Sequence, residues 1–205
     1  MQKTSYPNFV RRKHIDKVIN FKEERVFKLS IPISKKGKES ILIISRAPKP
    51  CSDQGGSKMI SRALKYINDN KESFKNIYKV CFVYIFPILE YDSHTLENVL
   101  KEKGEKFLTG EDGINIDGGK VENSQIISEE IKASDYIIFA WGEPPKALSE
   151  LYNVKIEEIL KNFKLAKMNT NNVKKAYIVG DLTKKGYAKH CLSWSSKYEL
   201  VEYEL

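Results

Sequence analysis

Residues able to do chemistry cluster in four stretches of this chain. The first reads Ser45-Arg46-Ala47-Pro48-Lys49-Pro50-Cys51-Ser52-Asp53-Gln54-Gly55-Gly56-Ser57-Lys58. Paired glycines let a backbone approach a ligand closely. A helix opening at Ser57 would turn free N–H groups and the positive end of its dipole toward an anion. Arg46, Lys49 and Lys58 add formal charge, while Asp53 could position a water or brace the turn. The spacing is neither a Walker loop nor a dinucleotide fingerprint. The second stretch is Val83-Tyr84-Ile85-Phe86-Pro87, where Tyr84 either offers a ring to a stacking base or packs the core; Phe86 reads as core. The third is Phe139-Ala140-Trp141-Gly142-Glu143-Pro144-Pro145. Trp141 either faces a ligand or caps the core, Gly142 leaves room for a sharp turn or a close ligand, and Glu143 precedes a proline-started helix.

The fourth stretch, residues 180–194, holds Tyr187, Lys189 and His190. His190 is one of three histidines, and an imidazole there could donate to a base carbonyl or a developing oxyanion; a structural role is the other reading. His14 and His94 read as peripheral. No Ser-His-Asp order, H-E-x-x-H or paired Cys/His spacing occurs. Cys51, Cys191 and His190 could meet as a metal or Cys–His site, but with no ligand spacing to support it, neither a metal nor a cofactor is assigned.

These stretches need elements to position them. Residues 41–44, 78–86, 136–141 and 176–179 are short apolar runs, the mark of strands buried on both faces. Between them lie helical patterns. One starts at Ser57 with a stripe of Met59, Ile60, Ala63, Leu64 and Ile67; others cover 93–103, a segment capped by Asn123 or Ser124, and a proline-started region to about residue 167. Residues 25–34 alternate, Lys35 to Lys38 reads as a turn, and 25–46 is expected to be a β-hairpin. Residues 105–122 read as a long loop or a small hairpin around Asp117-Gly118-Gly119. Residues 198–205 would add an edge strand.

The expected fold is therefore α/β: a three-layer sandwich with a mainly parallel four-stranded central sheet plus an N-terminal antiparallel hairpin. Residues 1–24 are set apart as a polar extension and 25–205 as a single domain. In such a sheet ligands sit beyond the carboxyl ends of the strands, which is where the four stretches fall.

Composition narrows the classes. An apolar content of 41% is too high for a disordered chain. No apolar run reaches the roughly 18 residues of a membrane helix, and no apolar segment follows the first residues as in a secretory signal, so no membrane partner is expected. Three widely spaced cysteines form no disulfide framework, which suits a reducing cytoplasm. Thirty-five Lys plus Arg against 27 Asp plus Glu, a net charge of +8, favours anionic partners or simply solubility, since the lysines are spread rather than massed.

Taken together, Asp53, Ile85-Phe86, Asn123 ahead of Trp141-Gly142, and Gly186 through Leu192 with His190 resemble the DUF1643 family, a bacterial and phage domain of unknown function. The likeness covers about residues 25–200. Ser45-Arg46-Ala47-Pro48 stands where that family has an Asn-Pro-Ser, Tyr84 replaces an Asn, and Ala188 and Cys191 replace two prolines. More loosely, the layout is similar to the uracil-DNA glycosylase fold. By that similarity His190 would stabilise a departing base anion and the loop after Ile44 would hold water and phosphate.

The expected function is nucleotide or nucleobase binding through Arg46, Lys49, Ser57, Tyr84, Trp141, Gly142, Tyr187 and Lys189. If an N-glycosidic bond is cleaved, Asp53 and His190 are the catalytic pair. The alternatives are a non-catalytic phage or host-defence module that captures a small signalling nucleotide, and a basic protein that binds nucleic acid.

Overall fold

The computed structural model describes residues 5–50, 57–74, 76–168 and 175–204. Their principal elements are β1 (Asp16–Asn20), β2 (Arg25–Pro32), β3 (Glu39–Ser45), α1 (Lys58–Asp69), β4 (Ile77–Tyr84), α2 (Thr95–Lys103), α3 (Glu105–Thr109), β5 (Ile114–Ile116), β6 (Gly119–Val121), α4 (Asn123–Ala133), β7 (Tyr136–Ala140), α5 (Ser149–Met168), β8 (Lys175–Val179) and β9 (Leu200–Glu202). The fold is α/β, built on a mixed seven-stranded sheet in the order β1-β2-β4-β3-β7-β8-β9. Within it β4, β3, β7 and β8 run parallel to their neighbours, while β2 joins β4, and β9 joins β8, antiparallel.

The apolar runs explain the layering. Successive side chains of a strand point to opposite faces, so a strand that is apolar throughout must be covered twice. Ile41 and Ile43 of β3 pack with Val80 and Phe82 against Met59, Ile60, Ala63, Leu64 and Ile67 of α1. Leu42 and Ile44 face the other way with Cys81, Val83, Ile137 and Phe139, under Ile126, Ile127 and Ile131 of α4 and Tyr152, Ile156, Ile159 and Phe163 of α5.

Two expectations about pairing are corrected. Residues 25–46 are not a hairpin: β4 lies between β2 and β3 and pairs with both. The connection is docked on the start of β4, where Ile33 N and Ser34 N donate to Tyr78 O, and Lys38 N and Glu39 N donate to Asn76 O. Gly37 allows this approach, since a Cβ there would lie 2.4 Å from Asn76 O. The N-terminal hairpin is instead β1–β2, with a register shift at Val18/Ile19. Residues 16–20 of the segment set apart as an extension are thus a sheet strand, and Tyr6 and Val10 are buried in the α1-side core.

Other boundaries move locally. Ser57 caps α1, its Oγ accepting from Ile60 N at 3.3 Å. The segment after Glu105 resolves into α3 and a small β5–β6 hairpin, with Asp117 and Gly118 both at positive φ in its turn. Pro145 leads into a single 3₁₀ turn, Lys146–Leu148, ahead of α5.

Candidate functional site

Three of the four stretches converge at the carboxyl end of β3. Ser45, the last residue of that strand, is fully buried. Its Oγ lies 3.4 Å from Ala140 O at the end of β7, 3.6 Å from Met59 Sδ in the first turn of α1, and 3.4 Å from Nε2 of His190 in the stretch after β8. The direction of these bonds follows from His190 itself. Leu192 N donates to His190 Nδ1 at 3.2 Å, so the neutral ring carries its proton on Nε2. That N–H donates to Ser45 Oγ, and the hydroxyl passes its own proton toward Ala140 O. Burial first, then the positive charges of Arg46 and Lys49, hold His190 down to about 3. At neutral pH it is a donor without charge and does not serve as a general acid of ordinary strength.

Gly142 seats this imidazole. Its φ is +72°, and a Cβ there would stand 2.9 Å from His190 Cβ. Gly142 N donates to Ala188 O at 2.9 Å, tying the β7 and β8 loops together. Tyr152 of α5, fully buried, donates from its hydroxyl to Trp141 O at 2.8 Å with Gly142 O at 3.2 Å, which fixes the same turn from the opposite face.

Charge enters through Arg46 and Lys49, both around one-fifth exposed. They share a carboxylate that sequence reasoning passed over, the buried Glu90. Arg46 donates from Nη2 to Glu90 Oε1 at 2.5 Å and from Nε to Oε2 at 3.3 Å; Lys49 Nζ lies 3.0 Å from Oε2. Glu90 N donates to Pro48 O at 2.8 Å, so backbone and side chain both hold the first loop. Arg46 Nη1 reaches across to Glu143 O at 3.0 Å. Glu143 itself pairs at its carboxylate with Lys185, 3.2 Å away.

The remaining expected residues are placed as follows. The Trp141 side chain is buried at 3% exposure and stacks on Phe139 with ring centroids 4.5 Å apart; it caps the core. Tyr84 is 1% exposed and also packs in the core. Neither ring presents a stacking face to a base. Tyr187 turns toward α5, donating to Asn153 Oδ1 at 2.8 Å. The Lys189 ammonium sits 4.3 Å from the Tyr198 ring centre. Ser57 spends its hydroxyl oxygen on the α1 cap. Asp53 and Cys51 lie outside the described residues. Burial pushes the Cys191 thiol up to about 12, which makes it a poor nucleophile. Among the described residues no group of three or more His, Cys, Asp or Glu could hold a metal ion.

Of the residues missed, Ser45 had a signal: it is the first polar residue after the apolar run, at a strand's carboxyl end. Glu90 had none, because nothing near it in the sequence marks its partners.

A separate cleft lies between α4 and α5. Residues lining it include Ile85, Asn123, Ile127, Lys155 and Ile159. Its room of about 20 Å³ suits an ordered water, not a nucleotide.

No helix among the described residues is long and apolar enough to cross a membrane. Comparison of the chain with known protein families, with curated proteins and with solved structures finds no match.

Proposed function

We propose that this protein binds a small nucleotide or nucleobase at the carboxyl rim of β3, β7 and β8, as a capture module. The observation that carries the reading is the grouping at this rim of two cationic side chains, Arg46 and Lys49, beside a neutral imidazole, His190, whose single N–H on Nε2 donates to Ser45 Oγ. A base carbonyl that takes the place of Ser45 Oγ on that N–H meets a donor without charge. Arg46, Lys49 and the α1 N-terminus suit an attached anion. The loose similarity to the uracil-DNA glycosylase fold would put a ligand at this rim.

A second reading is cleavage of an N-glycosidic bond, with His190 stabilising the leaving base. Among the described residues the carboxylates at this rim are engaged, Glu90 by Arg46 and Lys49 and Glu143 by Lys185.

The test is to denature purified protein, identify released small molecules by mass spectrometry, and titrate the emptied, refolded protein with nucleobases, nucleosides and nucleotides. Binding that His190→Gln weakens at least tenfold supports the site. An empty protein that ignores the whole panel overturns it. Product formed from a bound nucleoside or nucleotide would replace capture by cleavage.

A further inference from the structure

The helix α5 carries two stripes. The inward one, Tyr152, Ile156, Ile159, Phe163 and Ala166, is buried against the sheet. On the opposite side run Leu151, Val154, Glu158, Lys161, Leu165 and Met168, spaced alternately three and four residues apart. That is the a/d spacing by which two helices pack along a seam. Four of these six are apolar. Leu151 is partly buried, whereas Val154, Leu165 and Met168 are 46%, 48% and 81% exposed. Among the described residues no other helix exposes a large apolar side chain. An apolar row turned outward on one helix alone marks a contact surface.

We propose that a second copy of this chain docks here, α5 against α5, antiparallel about a two-fold axis. The order of residues along the seam names the partner. In an antiparallel pair each a position meets a d position of the other helix. With the axis midway between Glu158 and Lys161, Glu158 meets Lys161 of the second copy, and Lys161 meets its Glu158. Val154 then meets Leu165, and Leu151 meets Met168, each contact occurring twice by symmetry. Beside the seam, Glu157 and Lys164 lie on one edge of the stripe, and the same reversal sets them against each other across the axis. The seam is therefore complementary to its own reverse. A parallel pair would set Glu158 on Glu158 and Lys161 on Lys161, like charges in both central layers.

The charged groups are placed to reach across. Glu157, Lys161 and Lys164 are exposed. Glu158 accepts from Lys155 Nζ at Oε2, 3.1 Å away, and its side chain is still 48% exposed. A lipid surface fits this face poorly. A helix lying in a membrane interface keeps its apolar side free of carboxylates, and here Glu157 and Glu158 stand in the middle of it. One helix face is a small contact by the standards of protein interfaces. The expected assembly is a reversible dimer in the micromolar range. It does not depend on the nucleotide reading of the rim.

The experiment is sedimentation velocity of the full chain at low salt, over a micromolar-to-millimolar series. Wild type is expected to pass from monomer to dimer. Lys161→Glu and Glu158→Lys each set like charges against the second copy, and each is expected to weaken the dimer at least tenfold. Mixing the two variants puts opposite charges back in both central layers and is expected to restore it. If either variant does not fold, as judged by circular dichroism, Leu165→Gln tests the same seam through its apolar layer and is expected to weaken the dimer. A wild type that is monomeric throughout overturns the proposal. So does a dimer that these variants leave unchanged, since it would use another face. Two monomeric charge variants that do not associate on mixing overturn the Glu158–Lys161 pairing. A monomeric wild type that sediments with anionic vesicles, and loses them on Lys161→Glu, assigns the face to a membrane surface and overturns the second copy.

Discussion

Ser45 Oγ and His190 Nε2, 145 residues apart in the chain, lie 3.4 Å from each other at the end of the central strand. The contact orients an uncharged imidazole at the place where three loops meet, and its consequences can be measured.

The first is a pH dependence of stability. His190 titrates near 3 in the folded protein and close to 6.5 in an unfolded chain. Between those values the unfolded state binds the extra proton, so folding stability falls as pH drops through this window. It is fully present above about pH 6.5. The slope approaches ~1.4 kcal/mol per pH unit. Urea unfolding of wild type and His190→Gln between about pH 7 and pH 5 should show this component only in the wild type. Equal slopes in both proteins would assign the titration to another group.

Gly142→Ala should damage binding more than its backbone strain alone explains. A side chain at φ +72° is strained, and here its Cβ would also press within 2.9 Å of His190 Cβ. Gly186 is a matched control, with φ +82° and nothing within 4 Å. Both alanine variants should lose about 1–2 kcal/mol for the positive φ. Gly142→Ala should lose more, and it alone should weaken the ligands that His190 serves.

Arg25 should hold the insertion between β4 and α4 onto the sheet. Its guanidinium is 2% exposed, lies 2.5 Å from both Glu23 and Asp112, and sits over the Phe107 ring at 4.3 Å and the Phe27 ring at 5.2 Å. Arg25→Met is expected to cost about 2–4 kcal/mol, because it strips a buried ion-pair and ring cluster. Arg25→Lys should recover little of that, since an ammonium cannot reproduce the planar fork. Hydrogen exchange in either variant should show protection lost first from α3 and the β5–β6 hairpin.

Asn123 should tolerate loss of its side chain better than loss of its amide nitrogen alone. Nδ2 donates to Tyr84 O at 2.9 Å and Ile85 O at 3.2 Å, while Oδ1 is buried beside the small cleft without a hydrogen-bond partner among the described residues. Asn123→Ala is expected to cost about 1–3 kcal/mol. Asn123→Asp sets an acceptor against two carbonyls and should cost more. The comparison by denaturant unfolding is decisive if alanine proves the worse substitution, because the amide would then matter for packing and not for its donors.

How much of this was legible beforehand differs by element. The apolar runs of β3, β4 and β7, the α1 stripe behind Ser57 and the Asp117-Gly118 turn announced themselves, since each follows from local pattern and turn chemistry. The same alternation in residues 25–32 was compatible with two partners. Only the docking of Gly37 on Asn76 and Ile77, with β4 inserted, ruled out the hairpin. At the rim, Arg46, Lys49, Gly142 and His190 were singled out from loop position and residue type, and the fold brings them together. Trp141 and Tyr84 were not separable from core residues, because an aromatic at a strand end packs inward as readily as outward.

By itself, then, the order of residues determined the α/β class, the strands that need cover on both faces and the loops that gather at their carboxyl ends. These depend on hydrophobic period and short-range turns. The tertiary structure alone decided the β2–β4 pairing, the pairing of Glu90 with Arg46 and Lys49, and the proton on His190 Nε2. Each depends on groups brought together from distant parts of the chain, and such contacts leave no local trace.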